Sequence, residues 1–204
     1  MNNIITISRE FGSGGKELGK RLADELGYAY YDSEIISMLA KDTKKAKEYI
    51  ENIATKGEYP YTFEFAKSFE SYPVMQSSQT EMLISQAKVL KEVAAKGNAV
   101  IVGRAASAIL SEYNPMNIFV YADMKSKIKR CKEKATDAEK LTDKQIEKNI
   151  REIDKRRKAC FSILSGKGWG DKTNYTLCIN TSNIEVKALI PALKSYAESW
   201  FLNK

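Results

Sequence analysis

The sequence predicts a three-layer α/β domain, a parallel sheet of about five strands with helices on both faces. Three observations lead there. Short apolar runs alternate with amphipathic stretches, and strands joined by helices run parallel through right-handed crossovers. The first such unit carries a glycine-rich bend between its strand and its helix. The 204 residues suffice for one domain of this kind with a full core, with room for a small subdomain.

The first unit covers residues 4–27. Residues 4–7 are an apolar, β-branched run that reads as a strand. Gly12, Gly14 and Gly15 follow, then Lys16. Leu18, Leu22 and Leu26 recur at a spacing of four, and Gly27 ends the helix. Glycines at positive φ let successive N–H groups face one anion. A helix N-terminus adds partial positive charge, and Lys16 adds a full one. Gly12, Ser13, Gly14, Gly15, Lys16 and Glu17 are therefore candidate phosphate-binding residues. The spacing is unusual. The ordinary phosphate loop is GxxxxGK[ST]; here Glu10 stands at its first glycine, and Glu17 replaces the magnesium-binding hydroxyl. The dinucleotide pattern GxGxxG also fails at Glu17. A glycine turn with no ligand is the alternative.

Residues 28–31 read as a second strand, with Asp32 or Ser33 capping a helix that buries Ile35, Ile36 and Leu39. A mostly polar helical stretch runs on to about residue 53. Residues 58–75 gather Tyr59, Tyr61, Phe63, Phe65, Phe69 and Tyr72 around Pro60 and Pro73. These rings either pack a small subdomain or an oligomer contact, or offer one face to a nucleobase. Residues 76–96 read as a long amphipathic helix with Met82, Leu83, Ala87, Leu90 and Val93 inward. Residues 98–102 are an apolar run, expected to be a buried central strand. Arg104 would then stand at its carboxyl end, where open α/β sheets bind ligands.

Residues 117–122 form the next expected strand. Asp123 caps a helix with a basic face of Lys125, Lys127, Lys129 and Arg130. A polar joint at 135–140 leads into a long charged helix at 142–164, which holds Arg151, Asp154, Lys155, Arg156, Arg157 and Lys158. That run is either a solvated face or a lid over a phosphate site. A turn-rich loop around Trp169 precedes a strand at 175–180 and a helix at 184–201.

The formal charge is +7, which suits an anionic ligand, nucleotide or nucleic acid. The chain has no histidine, which excludes histidine triads, histidine metal sites and histidine bases. Phosphoryl transfer loses nothing by this, since it relies on positioning and cations. Cys131, Cys160 and Cys178 lack CxxC spacing and read as free thiols. No run approaches the roughly 20 apolar residues of a membrane span, and no leader pattern opens the sequence. A cytoplasmic protein is expected.

Residues 8–15 (SREFGSGG), 30–32 (YYD), 103–104 (GR), 154–157 (DKRR), 166–170 (GKGWG) and 180–182 (NTS) fall in an order that resembles one family. The chain is similar to bacterial cytidylate kinases, within the P-loop nucleoside monophosphate kinases, and most of all to their divergent cytidylate kinase-like group. The resemblance implies a P-loop NTPase fold with a helical acceptor-binding insertion at about 34–96 and a lid with its flanking helix at about 135–172. It implies ATP as donor, Mg²⁺, and phosphate binding by residues 12–16. It implies that Asp32 lies near metal and reacting phosphate. It implies acceptor contacts from Arg104, Asp154 and Arg157, with Arg151 beside them, and Arg156 in the lid. Lys16, Asp32 and Arg157 are the expected catalytic residues. The pattern departs where the loop lysine falls on Gly15, with Lys16 one place late. It also departs at Met38, Ala105 and Ile150, where family arginine, aspartate and arginine are missing.

The expected function is ATP-dependent phosphoryl transfer to a nucleoside monophosphate, CMP-like, or a similar phosphorylated acceptor. A non-catalytic nucleotide-binding regulator is the alternative, and a nucleic-acid binder using the 142–164 helix ranks third. No recognised nucleic-acid motif supports the last. A homo-oligomer is left open.

Overall fold

The computed structural model describes residues 2–41, 77–135 and 141–204. Five parallel strands form one sheet in the order β2-β3-β1-β4-β5. They are β1 (Ile4–Arg9), β2 (Ala29–Asp32), β3 (Ala99–Val102), β4 (Met116–Tyr121) and β5 (Leu177–Asn180). The described helices are α1 (Gly15–Leu26), α2 (Ser33–Lys41), α3 (Ser77–Lys96), α4 (Ala106–Ile109), α5 (Met124–Lys134), α6 (Asp143–Ser165) and α7 (Val186–Leu202). Helices cover both faces, as the expected three-layer fold requires.

Burial explains the strand sequences. All six residues of β1 and all four of β3 are buried. A strand covered on both faces needs a near-continuous apolar run; β3 is one throughout, while β1 is one from Ile4 to Ile7 apart from Thr6 and closes on the buried Ser8 and Arg9. β1 is central: Ile5 pairs with Val100 of β3 on one side and Met116 of β4 on the other. α1 packs on β1, β2 and β3 and against α7, while α4 packs on β1 and against α3 and α6. In α1, Leu18 and Leu22 are fully buried and Leu26 partly so. Gly27 ends that helix in the left-handed region, its N–H reaching the carbonyls of Ala23 and Asp24. Thr142 and Gln145 start α6 with a reciprocal capping box.

Several expectations shift. The strands begin or end one or two residues from where the apolar runs do, because pairing partners, not hydrophobicity, set the ends. The inward face of α3 is Gln86, Val89, Leu90, Val93 and Ala94, rotated from the expected stripe; Met82, Leu83 and Ala87 are half-buried. α4 was not anticipated, since four residues are too short for a helical period. The aromatic segment 58–75 and the helical stretch to residue 53 lie outside the described residues.

Candidate active site

The bend after β1 leads straight into a helix N-terminus. Gly12 and Gly14 take φ of 76° and 79°, and α1 starts at Gly15. The first backbone bond of α1 runs from the Leu18 N–H to the Gly14 carbonyl, 2.9 Å. The N–H groups of Gly15, Lys16 and Glu17 thus precede any intrahelical acceptor and carry the positive end of the helix dipole. Three elements fix the loop. Ser13 is fully buried, and its hydroxyl donates to the Glu10 carbonyl at 2.8 Å. The Thr181 hydroxyl, just past β5, donates to the Ser13 carbonyl at 2.7 Å. Arg130 of α5 donates to the Gly12 carbonyl at 3.5 Å and also to Thr181.

Lys16 leans from the first turn of α1 toward the end of β2. Its Nζ lies 3.1 Å from Asp32 Oδ2 and 3.0 Å from Glu34 Oε1. Asp32 is fully buried at the carboxyl edge of the sheet, where β2 runs beside β3. Its Oδ1 accepts from the N–H groups of Glu34 and Ile35, at 2.9 and 3.0 Å, and so caps α2. Glu17 turns away from this cluster, pairing with Arg21 at 2.9 Å and Lys134 at 3.4 Å. Burial raises its carboxyl, but the Arg21 hydrogen bond and the Lys134 charge outweigh that and hold it below the usual range.

A second, narrow cleft of about 20 Å³, partly open to solvent, lies at the ends of β1 and β3. Arg9, Arg104, Arg157, Phe161 and Trp169 line it. Arg104 and Ala105 both adopt left-handed backbone, φ 55° and 49°. Such a pair costs about 1 to 3 kcal/mol per residue and persists only where its surroundings over-determine it. The Arg104 guanidinium donates through Nε and Nη2 to the Ser33 carbonyl, at 3.2 and 3.1 Å, and through Nη2 to the Ser37 hydroxyl.

Asp154 and Arg157, one helical turn apart on α6, both reach the loop. The Phe11 N–H donates to Asp154 Oδ1 at 2.7 Å, and Arg157 Nη1 donates to the Arg9 carbonyl at 3.0 Å. Arg157 also stacks over the Phe11 ring, 5.5 Å from its centroid. The carboxylate of Asp154 lies 3.6 Å from Arg157 and 3.9 Å from Lys127. Burial nevertheless pushes Asp154 up to about 6, against the lowering pull of Arg157, the Phe11 N–H and Lys127. Its proton is held more tightly in the folded chain than in the unfolded one, whose reference value is 3.8. Between these values the folded state carries more protons, so stability falls as pH rises through about 4 to 6. Asp154→Asn is expected to flatten that slope by on the order of 2 kcal/mol. Urea melts at a series of pH values check this, and an unchanged slope contradicts it.

Lys16 and Asp32 are thus brought together beside the loop, and Arg104 and Arg157 share the cleft. Arg151 is not brought there: it is exposed and paired with Glu147 at 2.6 Å. Arg156 is exposed on the same helix. Sequence reasoning missed Arg9, which is buried at the end of β1. A polar residue closing an apolar run reads as the start of a loop; the signal available was the glycine standing where the loop lysine belongs. It also missed Thr181 and Arg130 as loop supports. All three cysteines are free thiols. Among the described residues no group of three acidic or thiol ligands is arranged to hold a metal ion, and no helix is long and apolar enough to cross a membrane.

Known proteins agree with this architecture. A solved structure of an uncharacterized protein from Eubacterium ventriosum ATCC 27560 superposes with a TM-score of 0.72 at 26% identity, covering 97% of this chain and 99% of that one. Shikimate kinase from Bacteroides thetaiotaomicron gives 0.55 at 12% identity, over 97% and 99% of the two chains. A gluconokinase from Sinorhizobium meliloti 1021 gives 0.52 at 12% identity, over 100% and 98%. These low identities speak to the fold, that of P-loop kinases. No curated protein matches the chain. The model of the cytidylate kinase-like family matches residues 4–183, which takes in every described strand, the loop and all three arginines of the cleft. The chain belongs to the cytidylate kinase-like family.

Proposed function

We propose that this protein is a kinase that moves the γ-phosphoryl group of ATP to a nucleoside monophosphate, CMP-like, or to a similar small phosphorylated acceptor. One observation carries the reading: a helix-start anion cradle borders a separate arginine-lined cleft. Two anion sites side by side suit donor and acceptor. The amides of residues 12–16 would hold the donor phosphates. Arg104 and Arg157 would grip the acceptor, with Asp154 holding Arg157 and the loop in register. Lys16 stands within one side-chain swing of the cradle, and Asp32 orients its ammonium. Arg156, within the proposed lid span of about 135–172, would approach the moving group when that segment closes, and 34–96 would shape the acceptor side.

Magnesium fits such a site as an ion carried by the triphosphate, which keeps most of its waters, and it supplies charge neutralisation there. Asp32, whose Oδ2 is buried beside Lys16, and Glu34 would be the carboxylates that hold those waters. Protein supplied with ATP, Mg²⁺ and a panel of monophosphates is expected to release ADP only when one acceptor is present. ATP bound without acceptor-dependent ADP across the panel would instead favour a non-catalytic nucleotide-binding regulator. The pairing of Glu17 with Arg21 and Lys134, at the place of the usual magnesium hydroxyl, is what keeps that second reading in play.

A further inference from the structure

We propose that Arg9 is an anion-gripping residue of this site. Its guanidinium, with those of Arg104 and Arg157, forms a subsite for a tetrahedral phosphoryl group. The inference takes its source of phosphoryl groups, though not its geometry, from the kinase reading above.

Arg9 is 8% exposed, and a guanidinium stays charged at any accessible pH. A buried charge is unfavourable unless an opposite charge or hydrogen bonds balance it. Yet the polar partner of the Arg9 side chain among the described residues is a neutral one, the Ser33 hydroxyl at 3.3 Å. The nearby carboxylates are committed elsewhere. Asp32 serves Lys16 and the start of α2, and Asp154 serves the Phe11 N–H. No carboxylate is among the described residues lining the cleft. A guanidinium set this way has room for an anion that the described residues do not provide.

The chain also makes room for this side chain twice. A Cβ on Gly15 would fall 2.6 Å from Arg9 Cβ and 3.0 Å from its Cγ. A Cβ on Gly103 would fall 2.1 Å from Arg9 Nη1 and 2.9 Å from its Cζ. Real contacts of that kind do not reach such distances, so both positions must stay without side chains while Arg9 lies there. Gly103, at φ 89°, is also in backbone that favours glycine. Gly15 occupies the register of the usual loop lysine. The stem of Arg9 passes beside it, and the guanidinium emerges between the loop and the end of β3. The positive charge missing from the helix is thus delivered from the strand. A planar fork also suits phosphate oxygens better than a point charge.

The phosphoryl group has two sources, the terminal phosphoryl of ATP or the phosphate of the acceptor. The test begins with inorganic phosphate, at ionic strength matched with chloride, on wild type, Arg9→Gln and Arg9→Lys. Phosphate is expected to raise the melting temperature of wild type by several degrees, to leave Arg9→Gln unmoved, and to act partially on Arg9→Lys. Equal stabilisation of wild type and Arg9→Gln overturns the proposal. If the glutamine variant does not fold, the wild-type Arg9 Nε–H resonance is followed during the phosphate titration. A saturable shift supports the subsite and a fixed resonance overturns it. Calorimetry then separates the sources: a lost preference of Arg9→Gln for ATP over ADP assigns the donor, and a selective loss for a monophosphate assigns the acceptor. Phosphate binding that depends on Arg9 in a protein that binds neither ATP nor a monophosphate keeps the subsite and removes the kinase reading.

Discussion

Arg104→Ala is expected to lower kcat/KM for the acceptor by roughly 10² to 10³, with KM for ATP nearly unchanged. The side chain is held before any ligand arrives, by the Ser33 carbonyl and the Ser37 hydroxyl. Two consecutive left-handed residues aim it at the cleft. A preset charge of this kind spends little entropy when the acceptor docks, so its removal is felt in both binding and transfer. Lysine should rescue little, because one ammonium cannot span the two acceptors that the fork now engages. Steady-state kinetics with both substrates varied gives the answer. An equal loss in the ATP and acceptor terms would place Arg104 on the donor instead.

Replacing Asp32 divides structure from chemistry. Asp32→Ala removes the cap of α2, leaves the N–H groups of Glu34 and Ile35 without their carboxylate, and strips Lys16 of a buried carboxylate partner. The expected cost is about 2 to 3 kcal/mol, discounted because Lys16 is a quarter exposed. Asp32→Asn keeps an oxygen for the cap and should recover most of that stability. Turnover should stay low in both, since the buried carboxylate beside Lys16 is gone and only the more exposed Glu34 remains. Chemical denaturation and activity measured on the same two variants separate the roles. Full activity in the asparagine variant would reduce Asp32 to a cap.

Much of this was legible because the physics is local. The apolar runs at 4–7 and 98–102 read as strands, the second as a buried central one, and Leu18 with Leu22 read as the inner face of a helix; β1, β3 and α1 stand there. The three-residue spacing of Asp154 and Arg157 placed both on one face of α6, and both meet the loop. Arg151, three before Asp154, shares no such contact: it is exposed and paired with Glu147, and periodicity alone does not say where a partner ends. Arg9 and Thr181 were hidden for another reason. Their roles come from residues about 95 and 170 positions away, at Gly103 and Ser13, and no window of sequence holds both ends. α4 was hidden because its register is set by the left-handed step at Arg104 and Ala105, which no propensity favours.

The bolt from Thr181 to Ser13 has a consequence for biogenesis. The glycine bend is translated early, yet one of its fasteners is made after all five described strands, and β1 itself waits for β3 and β4 before it has neighbours. Pairings this distant in sequence form late and slowly. A nascent chain halted on the ribosome before β5 would therefore carry the whole glycine motif and still lack the fastener that Thr181 supplies.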